Sequence, residues 1–379
     1  MNIGIPKEIK AQENRVSVIP GSVSELVKRG HRVIVQTCAG EGASYTDGQY
    51  LNAGAEIAPD SVTVFREAEL IVKVKEPQPS EVAMLRPDHI LFTYLHLAAN
   101  RQLTESLAAS GCTAIAYETV EVNRHLPLLE PMSEIAGRMS AIVGAYHLAK
   151  HRGGRGCLLG GVPGVAPGRV VIIGGGTAGV NAARVARGIG ADVTILEVDI
   201  ERMRFLDITM ENAHTVYSNE ANLSELLPRV DLLIGAVLVP GAKAPKLVTR
   251  EMLRMMQPGS VFVDIAVDQG GCAETTRATT HENPTYEEEG VIHYCVANMP
   301  GAYARTATQA LNNATQPWIL LIAEKGIDAA CATRPALLGG INTLSGHVTC
   351  LPVSQAHGLE HRDPGALLRD KSVRSAGTC

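Results

Sequence analysis

Three glycines at a characteristic spacing form the most informative chemical pattern in the chain. Gly174, Gly176 and Gly179 follow a short apolar run and form G-x-G-x-x-G. In such a loop the first glycine permits a tight turn, the second lets the backbone approach a pyrophosphate, and the third lets a helix pack closely on a strand. Thr177 and Ala178 would open that helix, where unpaired N–H groups attract phosphates. The pattern predicts a dinucleotide site.

Glu197 ends the next apolar run, Ala191–Leu196. A carboxylate at this position accepts hydrogen bonds from both ribose hydroxyls and would repel a 2′-phosphate, so it predicts NAD rather than NADP. Arg202 and Arg204 lie nearby and are the opposing signal, since arginine can accommodate a 2′-phosphate. A lone glycine motif is weak evidence, and a plain turn is its alternative; strand, glycines, helix, strand and acid in this order are stronger.

Two apolar runs in the first third of the chain end in reactive side chains. The run from Leu70 reaches Lys75, and the run from Ile90 reaches His96. Taken alone, Lys75 fits a solvated strand end, and His96 fits a helix cap or a core histidine. Their equivalent positions favour a shared site, because ligands bind beyond the carboxyl ends of parallel strands. Arg15, in the loop after the first strand, can reach the same edge, and its planar fork suits a substrate carboxylate.

A second acid lies at a strand exit in the other half of the chain. Asp264 sits inside an apolar run and reads as structural, whereas Asp268 stands beside two glycines and is better placed to face a ligand. A nicotinamide site, a cationic pair, a histidine and an aspartate meet the needs of hydride exchange with an amino or hydroxy acid. One group anchors the acid, another polarises the carbonyl or imine, and a third moves protons.

The surrounding elements predict an α/β protein with two doubly wound parallel-sheet domains, one of them a Rossmann domain, linked by two long helices. The helical patterns of the linkers begin at Ser133, with Ser133 and Glu134 as capping residues, and at Thr306. We expect a discontinuous substrate domain of residues 1–130 and 305–358, an NAD-binding domain of residues 131–304, and a flexible tail of residues 359–379. The predicted strands are 3–5, 33–35, 70–74, 90–95, 113–117, 170–173, 192–196, 214–217, 231–237, 260–265 and 291–296.

Composition excludes several classes of function. The formal net charge is −5 without a basic cluster, which argues against nucleic acid as a partner. No uncharged apolar stretch is long enough to span a bilayer, and the first residues do not resemble a secretory signal, so we expect no membrane partner and a cytoplasmic location. The eight cysteines form no C-x-x-C pair, which predicts reduced thiols and no metal site.

The chain resembles the bacterial L-alanine dehydrogenase family from residue 1 to residue 358, including the related NAD-binding subunit of transhydrogenases. The motifs that carry the resemblance are Pro6-Lys-Glu, Lys73-Val-Lys75-Glu-Pro77, Leu91-Phe-Thr-Tyr-Leu-His96-Leu, Pro131-Met-Ser133-Glu, Ala236-Val-Leu-Val-Pro-Gly-Ala-Lys-Ala-Pro, Asp264-Ile-Ala-Val-Asp268-Gln-Gly-Gly and Tyr294-Cys-Val-Ala-Asn298-Met299-Pro300.

The resemblance implies reversible oxidative deamination of L-alanine to pyruvate and ammonium with NAD, in a homohexamer. It implies that Arg15 and Lys75 bind the substrate and that His96 and Asp268 are the acid/base residues. It places a further set around the cofactor, in addition to the glycine loop: Ser133, Glu197, Arg202, Ser218, Val237, Leu238, Ile265, Ala266, Val267, Arg277, Val296, Ala297, Asn298 and Met299.

The chain departs from the family pattern at two places. Glu197 replaces the usual aspartate, and Tyr303-Ala304 with Ala307 replaces a Val-Pro pair and a serine. Two other functions remain alternatives: the NAD-binding module of a transhydrogenase, which passes hydride to another nucleotide, and a non-catalytic NAD-sensing protein. The absence of a membrane segment, together with His96 and Asp268, weighs against the first. An intact acid/base set weighs against the second.

Overall fold

The computed structural model describes residues 1–237 and 244–369. Its residues form two compact units. The first consists of Met1–Pro131 together with the chain from Gly301 onward, and the second is built from the chain between Met132 and Pro300.

The amino-terminal part of the first unit alternates strands and helices, as its apolar runs predict. Its elements are β1 (Asn2–Ile5), α1 (Pro20–Lys28), β2 (Arg32–Gln36), α2 (Asp47–Asn52), β3 (Glu56–Ala58), α3 (Ser61–Glu67), β4 (Leu70–Val72), α4 (Pro79–Val82), β5 (Ile90–Thr93), α5 (Arg101–Ser110) and β6 (Thr113–Ala116).

The chain passes into the second unit through a long helix and continues with the same alternation. The elements are α6 (Glu130–His147), β7 (Arg169–Ile173), α7 (Thr177–Gly188), β8 (Asp192–Glu197), α8 (Ile200–Thr209), β9 (Ala213–Tyr217), α9 (Glu220–Leu226), β10 (Leu232–Gly235), α10 (Arg250–Arg254), β11 (Val261–Asp264), β12 (Thr285–Glu288) and β13 (Val291–Tyr294). The prediction that Ser133 caps α6 is wrong. The helix begins at Glu130, because Pro131 is tolerated in a first helical turn.

The returning chain completes the first unit. Its elements are α11 (Ala304–Thr333), α12 (Ala336–Gly340), β14 (Ile341–Leu344), β15 (His347–Val348) and α13 (Leu351–His357). α11 changes course at Gly326, whose φ is +70°. At the start of α11 the unusual Tyr303 is exposed, whereas Ala307 is fully buried. Residues 364–369, within the predicted flexible tail, are helical, and Leu368 is buried.

Each unit contains one sheet that is mostly parallel. Among the described residues, the first sheet has eight strands in the order β15-β14-β6-β5-β4-β1-β2-β3, and the second has seven in the order β12-β13-β11-β10-β7-β8-β9. The sheets are mixed rather than purely parallel, because β14, β15 and β12 pair in the antiparallel sense at an edge. These strands and β3 escape prediction from the sequence, since two to four residues give little periodicity.

The second sheet is buried on both faces, as a doubly wound sheet requires. Val170 and Ile172 of β7 pack in a core with Met139 of α6. The intervening Val171 packs in another core with Leu253 of α10. Successive residues of a strand point to opposite faces, so helices cover both sides of this sheet.

Three global properties follow from the described residues. No helix among them is long and apolar enough to cross a membrane. Their seven cysteines are free, and most are buried. In the same residues, no group of three or more His, Cys, Asp or Glu side chains is arranged to hold a metal ion.

Candidate active site

The first unit gathers Arg15, Lys75 and His96 at one edge of its sheet. The strands β1, β4 and β5 are consecutive and parallel, and each of the three residues follows the carboxyl end of one of them. Arg15 is only 2% exposed and Lys75 5%. Lys75 is therefore not a solvated strand end.

Arg15 is held by its neighbour Glu13. The Glu13 carboxylate accepts hydrogen bonds from Nε of Arg15 at 2.6 Å, from Nη2, and from its main-chain N–H at 3.0 Å. Burial lowers the pKa of the Arg15 guanidinium, but the Glu13 carboxylate outweighs that effect and the pKa is raised overall. Arg15 is thus a fixed, permanently charged group, as recognition of a carboxylate requires.

Lys75 is fixed through its main chain by a buried charge cluster. Glu8 Oε1 accepts hydrogen bonds from the N–H groups of Val74 at 2.6 Å and Lys75 at 3.3 Å. The fully buried ammonium of Lys73 binds both Glu8, at 3.0 Å, and Glu81, at 2.7 Å. Burial alone would lower the pKa of Lys73, but the two carboxylates together raise it by more. The pKa is therefore raised overall, and Lys73 stays charged.

His96 lies half-buried where β5 leads into a 3₁₀ turn, Leu97–Ala99. It occupies the capping position of that turn, but its imidazole makes no capping hydrogen bond, so the interpretation as a cap is wrong. The ring stacks on Tyr94, with centroids 5.9 Å apart and an interplanar angle of 12°. The Tyr94 hydroxyl donates a hydrogen bond of 2.5 Å to the carbonyl of Leu128.

In the second unit, the three glycines have the geometry that their spacing predicts. Gly174 has a φ of +102°, and a Cβ there would lie 2.6 Å from the carbonyl oxygen of Ala236. A Cβ on Gly179 would lie 1.8 Å from the carbonyl oxygen of Gly174, so strand and helix are in direct contact. A Cβ on Gly176 would meet no atom of the described residues within 4 Å beyond its chain neighbours. The residues therefore fit a dinucleotide, with open space at the glycine that a pyrophosphate would approach.

Glu197 lies beside the glycine loop. Its carboxylate accepts hydrogen bonds from the N–H groups of Gly175 at 2.8 Å and Val198 at 2.7 Å. Nε of Arg202 donates to the carbonyl of Gly175 at 2.7 Å, whereas Arg204 pairs with Glu201. A carboxylate oxygen has more than one acceptor position, so Glu197 can still receive a ribose hydroxyl.

Asp268 lies exposed on the 3₁₀ turn Ile265–Gln269, which follows β11. Both of its carboxylate oxygens lie 3.2 Å from the main-chain nitrogen of Asn298. The turn is held by the fully buried Asp264, which accepts hydrogen bonds from the N–H groups of Ala266 and Cys272. Burial raises the pKa of Asp264, against the hydrogen bonds that it accepts.

Most of the other predicted cofactor residues follow the carboxyl ends of strands in the second sheet. Ser218 follows β9 and donates its N–H to the carbonyl of Glu197. Ser133 is half-buried on α6, and Arg277 is exposed over the ring of Tyr286 at 3.8 Å. Leu238 lies outside the described residues. The remainder of the set is Val237 after β10, Ile265, Ala266 and Val267 after β11, and Val296, Ala297, Asn298 and Met299 after β13.

Sequence patterns alone do not reveal the carboxylates that hold the reactive residues in place. Glu8 occurs within a family motif without a predicted role, and Glu13 and Glu118 have none either. Glu118 accepts hydrogen bonds from the main chain of His96 and directly follows β6 and Tyr117. The strand-end rule that identifies Lys75 and His96 also finds Glu118 when it is applied to the run 113–117.

Comparisons with known proteins match this arrangement to one family along nearly the whole chain. Residues 4–136 match "Alanine dehydrogenase/PNT, N-terminal domain", and residues 140–351 match "Alanine dehydrogenase/PNT, C-terminal domain". The chain belongs to the alanine dehydrogenase/PNT family. The alanine dehydrogenase of Methanococcus maripaludis is 55% identical over 95% of this chain and 98% of its own, and that of Bacillus subtilis is 54% identical over 98% and 99%.

Solved structures of the alanine dehydrogenase/PNT family agree. An L-alanine dehydrogenase superimposes with a TM-score of 0.89 at 51% identity, covering 94% of this chain and 99% of that one. A transhydrogenase from Sinorhizobium meliloti superimposes with a TM-score of 0.78 at 26% identity, covering 93% and 99%. The α/β fold and the family resemblance predicted from the sequence are both confirmed.

We predict that two glycine substitutions in the loop separate folding from binding. Gly179→Ala should lower the melting temperature strongly, because its Cβ would overlap the Gly174 carbonyl. Gly176→Ala should change stability by less than about 1 kcal/mol, yet weaken NADH binding by about tenfold or more, because its methyl occupies the approach of the pyrophosphate. Thermal unfolding and NADH fluorescence titration measure both effects. Wild-type affinity in Gly176→Ala would contradict the assignment.

We predict that Lys73→Met destabilises the protein by about 3–5 kcal/mol, because it leaves Glu8 and Glu81 buried without a counter-charge. Arg32→Met is the matched control. Arg32 also pairs with two glutamates, Glu56 and Glu67, but on the surface, where such pairs contribute little. Denaturant midpoints of the two variants test the contrast. Equal shifts would show that burial of the Lys73 cluster does not matter.

Proposed function

We propose that this protein catalyses the reversible NAD-dependent oxidative deamination of L-alanine to pyruvate and ammonium. The observation that carries the proposal is the group of Arg15, Lys75 and His96 at one sheet edge. Identities of 50–55% to alanine dehydrogenases across the chain support the substrate. Assembly as a homohexamer and a cytoplasmic location are parts of the same proposal and rest on the resemblance.

Arg15 and Lys75 bind the substrate in this proposal. The Arg15 guanidinium, fixed by Glu13, receives the substrate carboxylate, which is common to alanine and pyruvate. The buried Lys75 ammonium binds the carbonyl oxygen of pyruvate and polarises it. Both cations sit where water is scarce, so each hydrogen bond to the substrate gains strength from the low local dielectric.

In this proposal His96 transfers protons, and Asp268 stabilises the positive charge that develops during the reaction. When bound, NAD supplies the acceptor for the hydride that leaves the α-carbon of alanine. His96 takes a proton from the water that attacks the imine carbon, and then gives a proton to the nitrogen, so that the C–N bond breaks and ammonia leaves. It accepts the hydroxyl proton as the carbonyl of pyruvate forms, and amination reverses these steps. Asp268 stabilises the cationic nitrogen centre and the attacking water or ammonia.

The residues that would hold NAD are those of the glycine loop with Glu197. N–H groups at the start of α7 would bind the pyrophosphate, and Glu197 would accept hydrogen bonds from the ribose. Arg202 and Arg277, with Ser133 and Ser218, are the polar side chains expected around the rest of the cofactor.

One assay distinguishes the proposal from its alternatives. Oxidation of NADH that requires both pyruvate and ammonium supports it. Hydride transfer from NADH to a nucleotide analogue would favour a transhydrogenase module, which the resemblance to the Sinorhizobium meliloti transhydrogenase keeps as the second candidate. NADH binding without turnover would indicate a sensor. A panel of small oxo acids in the amination direction then tests the preference for pyruvate.

We expect substitutions of the proposed residues to separate turnover from binding. His96→Ala should lose about 10²–10⁴-fold in kcat with NADH binding intact, and Asp268→Asn about 10²-fold or more, because both act in the chemical step. Arg15→Lys keeps the charge but loses the fork, so it should mainly raise KM for pyruvate and alanine. Steady-state kinetics in both directions measure these effects. If Asp268→Asn turns over normally at saturation, Asp268 only positions the substrate.

We expect kcat/KM for NADH to exceed that for NADPH, because the Glu197 carboxylate would face a 2′-phosphate. Glu197→Gln retains acceptor oxygen but not charge, and should reduce this preference by about tenfold or more. Glu201→Gln is the control, since Glu201 is a nearby exposed acid that pairs with Arg204. Equal efficiency with both cofactors in the wild type would mean that Arg202 and Arg204 determine the specificity.

A further inference from the structure

We propose that Glu118 is a positioning residue for catalysis: its carboxylate holds the N–H groups of Leu95 and His96 and so fixes the place from which the imidazole projects. The consequence for catalysis rests on the proposed function of His96. The consequence for the backbone does not, and can be tested separately.

The main chain at His96 is in an unfavourable region. Its φ is +50° and its ψ is 38°, which is the left-handed helical region. A residue with a Cβ loses about 1–2 kcal/mol there, and non-glycine residues remain in that region only when their surroundings impose it. The place of the His96 imidazole therefore depends on what holds the main chain next to it.

Glu118 holds the peptide that precedes this residue. Its Oε1 accepts hydrogen bonds from the N–H groups of both His96, at 2.6 Å, and Leu95, at 3.1 Å, and its Oε2 lies 3.3 Å from the Leu95 nitrogen. In an extended strand successive N–H groups point to opposite sides. They converge on one anion only where the backbone turns at the residue between them, which here is Leu95. The shared carboxylate oxygen therefore fixes the turn at Leu95 and the peptide from which His96 continues.

Glu118 is itself held in position. It lies in the 3₁₀ turn Tyr117–Thr119 after β6, the parallel neighbour of β5. The hydroxyl of the fully buried Tyr117 donates to the carbonyl of Lys73 at 3.0 Å. The ring of Tyr117 packs edge-on against Tyr94, with centroids 5.0 Å apart.

The imidazole is therefore constrained from two directions. Its main chain is held by Glu118, and its ring lies against Tyr94, whose hydroxyl is tied to Leu128. If the Glu118 contact is lost, the peptide between Leu95 and His96 can rotate, which moves the imidazole off the Tyr94 ring. A displacement of about 1 Å is enough to slow a proton transfer by about 10²-fold.

Three substitutions separate the reach of the side chain from its charge. Glu118→Gln keeps a carbonyl oxygen at the same distance, so kcat for pyruvate amination should stay within about fivefold of wild type. Glu118→Asp keeps the charge but withdraws the oxygens by one methylene, and kcat should fall by about 10-fold or more. Glu118→Ala should fall by about 10²-fold, with KM for pyruvate changed by less than about threefold. Should Glu118→Ala not fold, the Gln and Asp variants alone decide.

Asp60→Ala is the matched control. Asp60 is also a carboxylate of the first unit that accepts a main-chain N–H, from Thr63 at 2.8 Å, but it caps α3 on the surface. Its loss should leave kcat unchanged. A fall in kcat as large as that of Glu118→Ala would show that activity reports the general stability of the fold, which would overturn the proposal.

A double-mutant cycle tests whether Glu118 acts through His96. In the His96→Ala background, Glu118→Ala should cause no further loss of kcat. A further loss as large as in the wild-type background would overturn the proposal, as would equal inactivity of the Gln and Asp variants. If His96→Ala is fully active, the proposed function of His96 fails. The crystal structure of Glu118→Asp then still decides the backbone inference, which predicts that the peptide between Leu95 and His96 rotates away from residue 118 and is overturned if it does not.

Discussion

Carboxylates that accept main-chain N–H groups at the ends of parallel strands are the interaction on which the arrangement of reactive residues depends. Where a strand ends, its N–H groups leave the sheet and need other partners. Glu8 accepts a hydrogen bond from the N–H of Lys75, and Glu118 accepts one from the N–H of His96. Asp264 accepts one from Ala266, in the turn that carries Asp268, and Glu197 accepts one from Gly175. Hydrogen bonds to a charged acceptor are stronger than neutral ones. The first three therefore each fix a backbone segment from which one reactive side chain projects, and the fourth fixes the glycine loop.

Carboxylates that hold the main chain in this way place negative charge in the protein interior, and buried cations must neutralise it. In the first unit, Glu8 and Glu81 surround Lys73, and Glu13 pairs with Arg15. Removing one member of a buried ion pair leaves an uncompensated charge. The stability of the fold therefore depends on keeping each of these charged residues together with its partner. Arg15, which we propose binds the substrate carboxylate, and the anions that hold the backbone are thus parts of one buried electrostatic system.

Those parts of the molecule that depend on local pattern can be predicted from the sequence. Alternating apolar runs identify the central strands, and the glycine spacing identifies the loop at Gly174 with the acid Glu197. Lys75 and His96 are recognisable because each directly ends an apolar run. Glu8 is not recognisable in this way, because the residues that it binds lie 65 to 67 positions away in the sequence and come close only in the folded chain. The prediction of Ser133 as a cap fails because a proline is a common helix boundary, whereas Pro131 lies inside the first helical turn.

The loop that carries Arg15 is held by hydrogen bonds to α11, which lies far away in the sequence. The N–H of Val16 donates to the hydroxyl of Thr308, 292 residues later, and the N–H of Ile19 donates to the side chain of Asn312. At a synthesis rate of about 5–20 residues per second, the ribosome needs roughly 15–60 s to produce this distance of chain. During that time the first strands exist without the hydrogen bonds to Thr308 and Asn312, and the whole second unit is synthesised. Arg15, for which we propose a role in substrate binding, is thus among the earliest residues translated, yet its loop is among the last to gain its long-range contacts.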